Sequence, residues 1–100
     1  MDLADLPARC TGFEWDEGNL TKNWEKHEVS ASECEQIFFN HPLVAAHDEK
    51  HSGQEKQFLA LGQTDSGWPL FSVFTIRNDL IRVISAREMS RKERKEYEST

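Results

Sequence analysis

Three arginines, Arg77, Arg82 and Arg87, sit within or at the ends of two apolar runs, Leu70–Ile76 and Leu80–Ala86. Arginine keeps its charge at any physiological pH and presents a planar fork of donors that matches carboxylate and phosphate oxygens. A guanidinium at the margin of a buried row needs an anionic partner. Two partners satisfy that need: an internal carboxylate, with Asp16, Glu14 and Glu88 available, or the phosphate of a ligand. The residues alone leave both open. A further cationic stretch, Ser90–Tyr97, follows directly and carries Arg91, Lys92, Arg94 and Lys95 beside the lone tyrosine, Tyr97. An aromatic among cations can stack on a nucleobase, or it can pin its own helix to the body of the protein.

Other candidate chemistry is weaker. His27 has the right intrinsic pKa for proton transfer near neutrality, but it also extends the face made by Leu20 and Trp24. Lys26 beside it is a candidate phosphate contact or an ordinary solvated lysine. His41, His47 and His51, with Asp48 and Glu49, lack the spacing of a zinc site and suit a solvated loop. Cys34 falls on an apolar helix face, where an inert thiol is expected. No glycine-rich phosphate loop is present, so no cofactor and no metal are expected.

The two apolar runs are rich in Val, Ile and Phe and are separated by Arg77-Asn78-Asp79, so they predict a hairpin at the centre of a sheet. Phe13–Trp15 predicts a short strand and Asp16 an N-cap, followed by a helix from Asn19 to His27. Ser30 with Glu33 forms a capping box for a second helix carrying Ala31, Cys34, Ile37 and Phe38. Leu43–Ala46 and Phe58–Leu61 predict two further strands, and Ser90 with Glu93 caps a last helix over Arg91–Glu98. The order β, α, α, β, β, β, β, α predicts an α+β fold. It is a small antiparallel sheet of four to five strands, with two N-terminal helices and one C-terminal helix.

The chain has 100 residues, enough for one domain, expected over 13–100 with residues 1–12 as a loose arm. No apolar run is long enough to span a membrane, and the acidic N-terminus has no signal-peptide core, so a cytoplasmic protein is expected. Cys10 and Cys34 are expected to be free thiols. The net charge of −6 argues against a general nucleic-acid binder, but it is unevenly spread. Residues 1–75 carry five Lys/Arg against thirteen Asp/Glu, whereas residues 76–95 carry seven against three. Such a local cationic patch can bind phosphate.

Five segments occur together and in order: FEWD at Phe13–Asp16, N-x-x-K-H-x-V-S at Asn23–Ser30, VFTIR at Val73–Arg77, RVISAR at Arg82–Arg87 and E-R-x-x-Y at Glu93–Tyr97. They resemble the BrnT toxins, over nearly the whole chain from Phe13 to Tyr97. The resemblance implies a RelE-like fold and a metal-independent endoribonuclease that inhibits growth. It implies a BrnA-like antitoxin as partner, RNA as substrate, and contact with operator DNA only through the antitoxin. A dimer or a heterotetramer with the antitoxin is compatible with it. On that basis Arg77 and Arg87 are candidates for stabilising charge on the phosphate, and His27 or Lys26 for proton transfer. Arg82, Arg91, Arg94 and Tyr97 are candidates for holding RNA. A non-catalytic toxin-like module that only binds the antitoxin is the alternative. The chain departs from the family at Glu28, where glycine is common, and at Asn19, where lysine is common.

Overall fold

The computed structural model describes residues 10–51, 53 and 55–100; residues 1–9 of the expected arm lie outside the described residues. Strand β1 (Gly12–Glu14) is followed by helices α1 (Glu17–His27) and α2 (Ala31–Gln36). Strands β2 (Val44–His47), β3 (Phe58–Gln63), β4 (Pro69–Arg77) and β5 (Leu80–Glu88) come next, and helix α3 (Arg91–Glu98) closes the chain. A short 3-10 turn, Glu49–His51, lies between β2 and β3. The five strands form one sheet in the order β1-β5-β4-β3-β2.

The central hairpin stands where its sequence placed it. Arg77 pairs with Leu80, and Asn78 and Asp79 take φ of 54° and 61°, so a two-residue turn with left-handed geometry joins β4 to β5. The sheet itself is mixed rather than antiparallel. β1 pairs in parallel with β5, Phe13 opposite Ile81, because the α1–α2 excursion separates β1 from the hairpin it joins. β1 is short and reaches only to Arg82, which leaves the outer edge of β5 open beyond that point.

Helix α1 closes that edge with two asparagines one turn apart. Asn19 Nδ2 donates to the Val83 carbonyl at 3.4 Å, and the Ala86 amide donates to Asn23 Oδ1 at 3.2 Å. The buried side chain of α1 is therefore Asn23, and the expected Leu20/Trp24/His27 face is not the packing face: Trp24 is 57% exposed. Both capping boxes form, with Ser30 accepting from the Glu33 amide and Ser90 from the Glu93 amide. Phe74, Ile37, Leu70, Ile81, Val83 and Cys34 make the core between the sheet and α2. Gly62 is required there, since a Cβ would lie 2.9 Å from Ile37 Cβ.

Helix α3 is tied down at both ends. Glu93 Oε1 accepts from the Ser90 amide at 2.8 Å and from Arg87 at 2.8 Å, so one carboxylate caps the helix and joins it to β5. At the other end the Tyr97 hydroxyl donates to the Pro42 carbonyl at 2.6 Å. No helix among the described residues is long and apolar enough to cross a membrane. Cys10 and Cys34 are free, and burial pushes the Cys34 thiol up to about 12.

Two stability predictions follow from these joints. Glu28 holds the left-handed conformation that ends α1, φ 56° and ψ 30°, so Glu28→Gly should stabilise the protein by about 0.5–1 kcal/mol in denaturant titrations. The Glu93 carboxyl lies below its ordinary value of 4.5, chiefly through its hydrogen bonds from Arg87. Its contribution is thus present above the unfolded value and is lost as pH falls through the lower folded value. Glu93→Gln should cost about 1 kcal/mol at neutral pH. The gap from the parent protein should close on acidification, as followed by thermal melts across pH.

Candidate functional site

Alternation along the strands sends Leu70, Ser72 and Phe74 into the core and leaves Phe71, Val73, Thr75 and Arg77 on the opposite face. In β5 the alternation is interrupted. Phe74 pairs with Val83 but Val73 pairs with Ser85, so Ile84 is an extra residue at a β-bulge. The bulge reverses the phase of the strand. Ile81, Val83 and Ala86 all face the core, and both Arg82 and Arg87 face outward. Strict alternation groups Ile81, Val83, Ser85 and Arg87 on one face; the bulge overturns that grouping.

The outward face therefore carries an apolar strip with cations at both ends. Val44 and Leu61 pair, as do Leu61 and Phe71, and Phe71 and Arg87. Val44, Ala46, Leu59, Leu61 and Phe71 line an open groove of about 270 Å³, walled on one side by Glu93 and Glu96 of α3.

Each sheet arginine is held by a carboxylate. Arg87 donates both terminal nitrogens to Glu93, Nη1 to Oε1 at 2.8 Å and Nη2 to Oε2 at 2.9 Å. Its Cζ lies 4.3 Å from the centre of the Phe71 ring, and Nη1 also reaches the Glu88 carbonyl at 3.0 Å. At the hairpin end Arg77 donates Nε and Nη2 to Glu55, each at 2.9 Å. Arg82 donates to Asp16 at 3.1 Å. The hydrogen bonds that Arg77 and Arg87 donate to Glu55 and Glu93 raise both above the ordinary arginine value, so these cations stay charged. Internal carboxylates thus hold the arginines. For Arg77 and Arg87, however, they are Glu55 and Glu93 rather than Asp16, Glu14 or Glu88.

The other sequence candidates scatter. Arg77 and Arg87 stand at opposite ends of the hairpin: Phe71, opposite Arg87, is six residues from Arg77, about 20 Å of extended strand. They cannot grip one phosphate together. Arg82, opposite Thr75, is the true neighbour of Arg77. Lys26 and His27 are exposed in the last turn of α1, and their side chains make no hydrogen bond or ion pair with another described residue. Arg91 and Arg94 are exposed on α3, with Arg94 3.7 Å from Glu88. Tyr97 is 8% exposed and bonded to Pro42, so it serves as the pin of α3 and is not available as a stacking platform.

Among the described residues no three His, Cys, Asp or Glu side chains converge as a metal site. The sequence does not mark Phe71, Thr75 and Glu55 as site candidates, and it presents Glu93 only as a helix cap and a motif residue. The hairpin register, with Arg77 opposite Leu80, held a signal for the Arg77–Arg82 neighbourhood. Nothing in the sequence points to Glu55, which comes from the segment before β3.

Comparison with known proteins accords with this geometry. The crystal structure of the Brucella abortus ribonuclease toxin BrnT is similar to the chain with a TM-score of 0.57. The match has 20% sequence identity and covers 80% of this chain and 97% of that one, which shows a shared fold. Among curated proteins none matches. A family model described as the ribonuclease toxin BrnT of type II toxin–antitoxin systems matches residues 15–93. The matched span runs from the end of β1 to the Arg87–Glu93 clamp, and on it the chain belongs to the BrnT family of type II ribonuclease toxins.

Proposed function

We propose that this chain is a RelE-like, metal-independent endoribonuclease that works in the cytoplasm as one domain over residues 13–100, with RNA laid along the outward face of the sheet. The observation that carries the reading is the Arg87 fork, held against Glu93 and stacked on Phe71 beside the apolar groove. Cleavage without a metal requires the ribose 2′-OH to lose a proton and attack the adjacent phosphorus. The bond to the 5′ oxygen then breaks, and that oxygen gains a proton. Charge accumulates on the non-bridging oxygens between those events. A packed, preoriented guanidinium stabilises that charge with little reorganisation. In this reading Arg87 exchanges the two oxygens of Glu93 for two phosphate oxygens, the same planar fork serving both.

The separation of the arginines assigns them different work. Arg87 sits at the scissile phosphate, while Arg77 and Arg82 hold another phosphate of the same strand. Arg91 and Arg94 extend the cationic margin along α3. Lys26 and His27, one turn beyond the Asn23–Ala86 contact, stay the candidates for proton transfer.

A type II toxin has a protein antitoxin. We take that partner to be BrnA-like, joining a toxin-binding segment to a DNA-binding module and reaching operator DNA in a dimer or heterotetramer. The groove lined by Leu59, Leu61 and Phe71 offers such a segment apolar area on the surface that RNA would use. Covering it would neutralise the toxin.

Arg87→Ala should lower the cleavage rate about a hundred- to thousandfold with EDTA present, and Arg87→Lys should recover only part of it. Arg77→Ala should instead raise KM about three- to tenfold and leave kcat near that of the parent. Single-turnover and steady-state cleavage of a defined RNA, with a thermal melt of each variant, measure both. An Arg87→Ala protein that is folded and cleaves at the parental rate refutes the assignment. A parent protein that binds an antitoxin but cleaves no RNA identifies the non-catalytic module.

A further inference from the structure

The hairpin end of the outward face contains a polar group that the fold leaves unsatisfied. Thr75 is 2% exposed, and its Oγ1 has no hydrogen-bond partner among the described residues. A buried hydroxyl without a partner is costly and calls for an explanation. Thr75 lies opposite Arg82 across the β4–β5 ladder and two residues before Arg77 on the same face. Thr75, Arg82 and Arg77 are thus neighbours on one face; Glu55 lies against Arg77, while Arg82 is held by Asp16.

The Glu55 carboxylate lies on Arg77 in the two-pronged arrangement that a phosphate would take, with both N–H···O distances at 2.9 Å. It is held below its ordinary value first by those hydrogen bonds, with smaller contributions from Arg82 and from the Thr75 hydroxyl. The Thr75 hydroxyl thus lies on the Glu55 side of the pair without making a well-formed hydrogen bond. Glu55 is not part of the sheet, and the side chains of the pair are 44% and 41% exposed. Exposed ion pairs of this kind are weak and exchange readily with solvent. A phosphate carries more charge and more acceptor oxygens than a carboxylate. It can use both prongs of Arg77 and still present an oxygen to Arg82 and Thr75.

We propose that Glu55 is an internal occupant of a phosphate pocket made by Arg77, Arg82 and Thr75, displaced when a phosphate group binds. The inference rests on the reading of this face as an RNA surface and adds a competitor to it. While Glu55 holds Arg77 the pocket is closed, so apparent affinity falls in proportion to the open fraction. Weak anions fail to open it. The Thr75 hydroxyl gains its missing partner only in the displaced state.

The test follows the Arg77 Nε–H resonance by NMR during titration with inorganic phosphate, then with a short single-stranded RNA made uncleavable by 2′-O-methylation. Glu55→Gln should tighten both ligands about three- to tenfold, since it removes the competing carboxylate and its repulsion of the incoming anion. The gain should vanish when Arg77→Gln is added and shrink when Thr75→Val is added. A thermal melt of Glu55→Gln should stay close to the parent, as expected for an exposed pair. Unchanged or weaker phosphate binding by Glu55→Gln overturns the proposal, as does a gain that survives loss of Arg77. Tightening for inorganic phosphate but not for the oligonucleotide keeps the pocket and overturns its assignment to RNA. Because the readout is binding, it stands apart from whether Arg87 carries the cleavage step.

Discussion

The extra residue in β5 is the constraint on which the cationic face depends. Arg82 and Arg87 are five positions apart, so in a regular strand they would lie on opposite faces of the sheet. The bulge at Ile84 turns the strand by one position between them and brings both to the outside. The same turn lets Ile81, Val83 and Ala86 all enter the core. Without it, either Arg87 would point into the core or Ala86 would leave it. Core packing and site geometry are satisfied together by a single local irregularity.

Other joints keep that face rigid. The β5 edge beyond β1 presents free backbone groups, and Asn19 and Asn23 pair with them, so α1 substitutes for a longer edge strand. Glu93 completes the cap of α3 while gripping Arg87, which couples the position of the helix to the orientation of the arginine. Tyr97 fixes the far end of α3 on Pro42. The wall of the groove therefore moves with the sheet. Three arginines on a small face would repel one another and any cationic partner. Pairing each with a carboxylate removes that cost in the ligand-free state and leaves forks already aimed when an anion arrives.

Much of the architecture was legible because it rests on local rules. The two capping boxes and the central hairpin are written in residues a few positions apart, and each formed. What was not legible depends on contacts remote in sequence. Helical periodicity favoured Leu20, Trp24 and His27 as the packing face of α1, yet the helix faces a strand edge that needs polar partners, so Asn23 is buried and Trp24 is not. The parallel pairing of β1 follows from the path of two intervening helices. Arg87 was singled out for its position in a buried row. It belongs instead to the outward row, for a reason only the bulge supplies. Glu55 lies 22 residues from Arg77 and in no regular strand or helix, so nothing in its own neighbourhood marked it as a partner.

The central claim is that Arg77, Arg82 and Arg87 together contact the phosphates of a single RNA strand. The salt dependence of binding to an uncleavable single-stranded RNA tests it most directly, because each phosphate contact releases counterion in a countable way. Three contacts predict that log K falls against log salt with a slope of about −2, and that each arginine changed to glutamine removes about 0.7 from it. A slope near zero, or one that keeps its value in all three variants, would contradict the account.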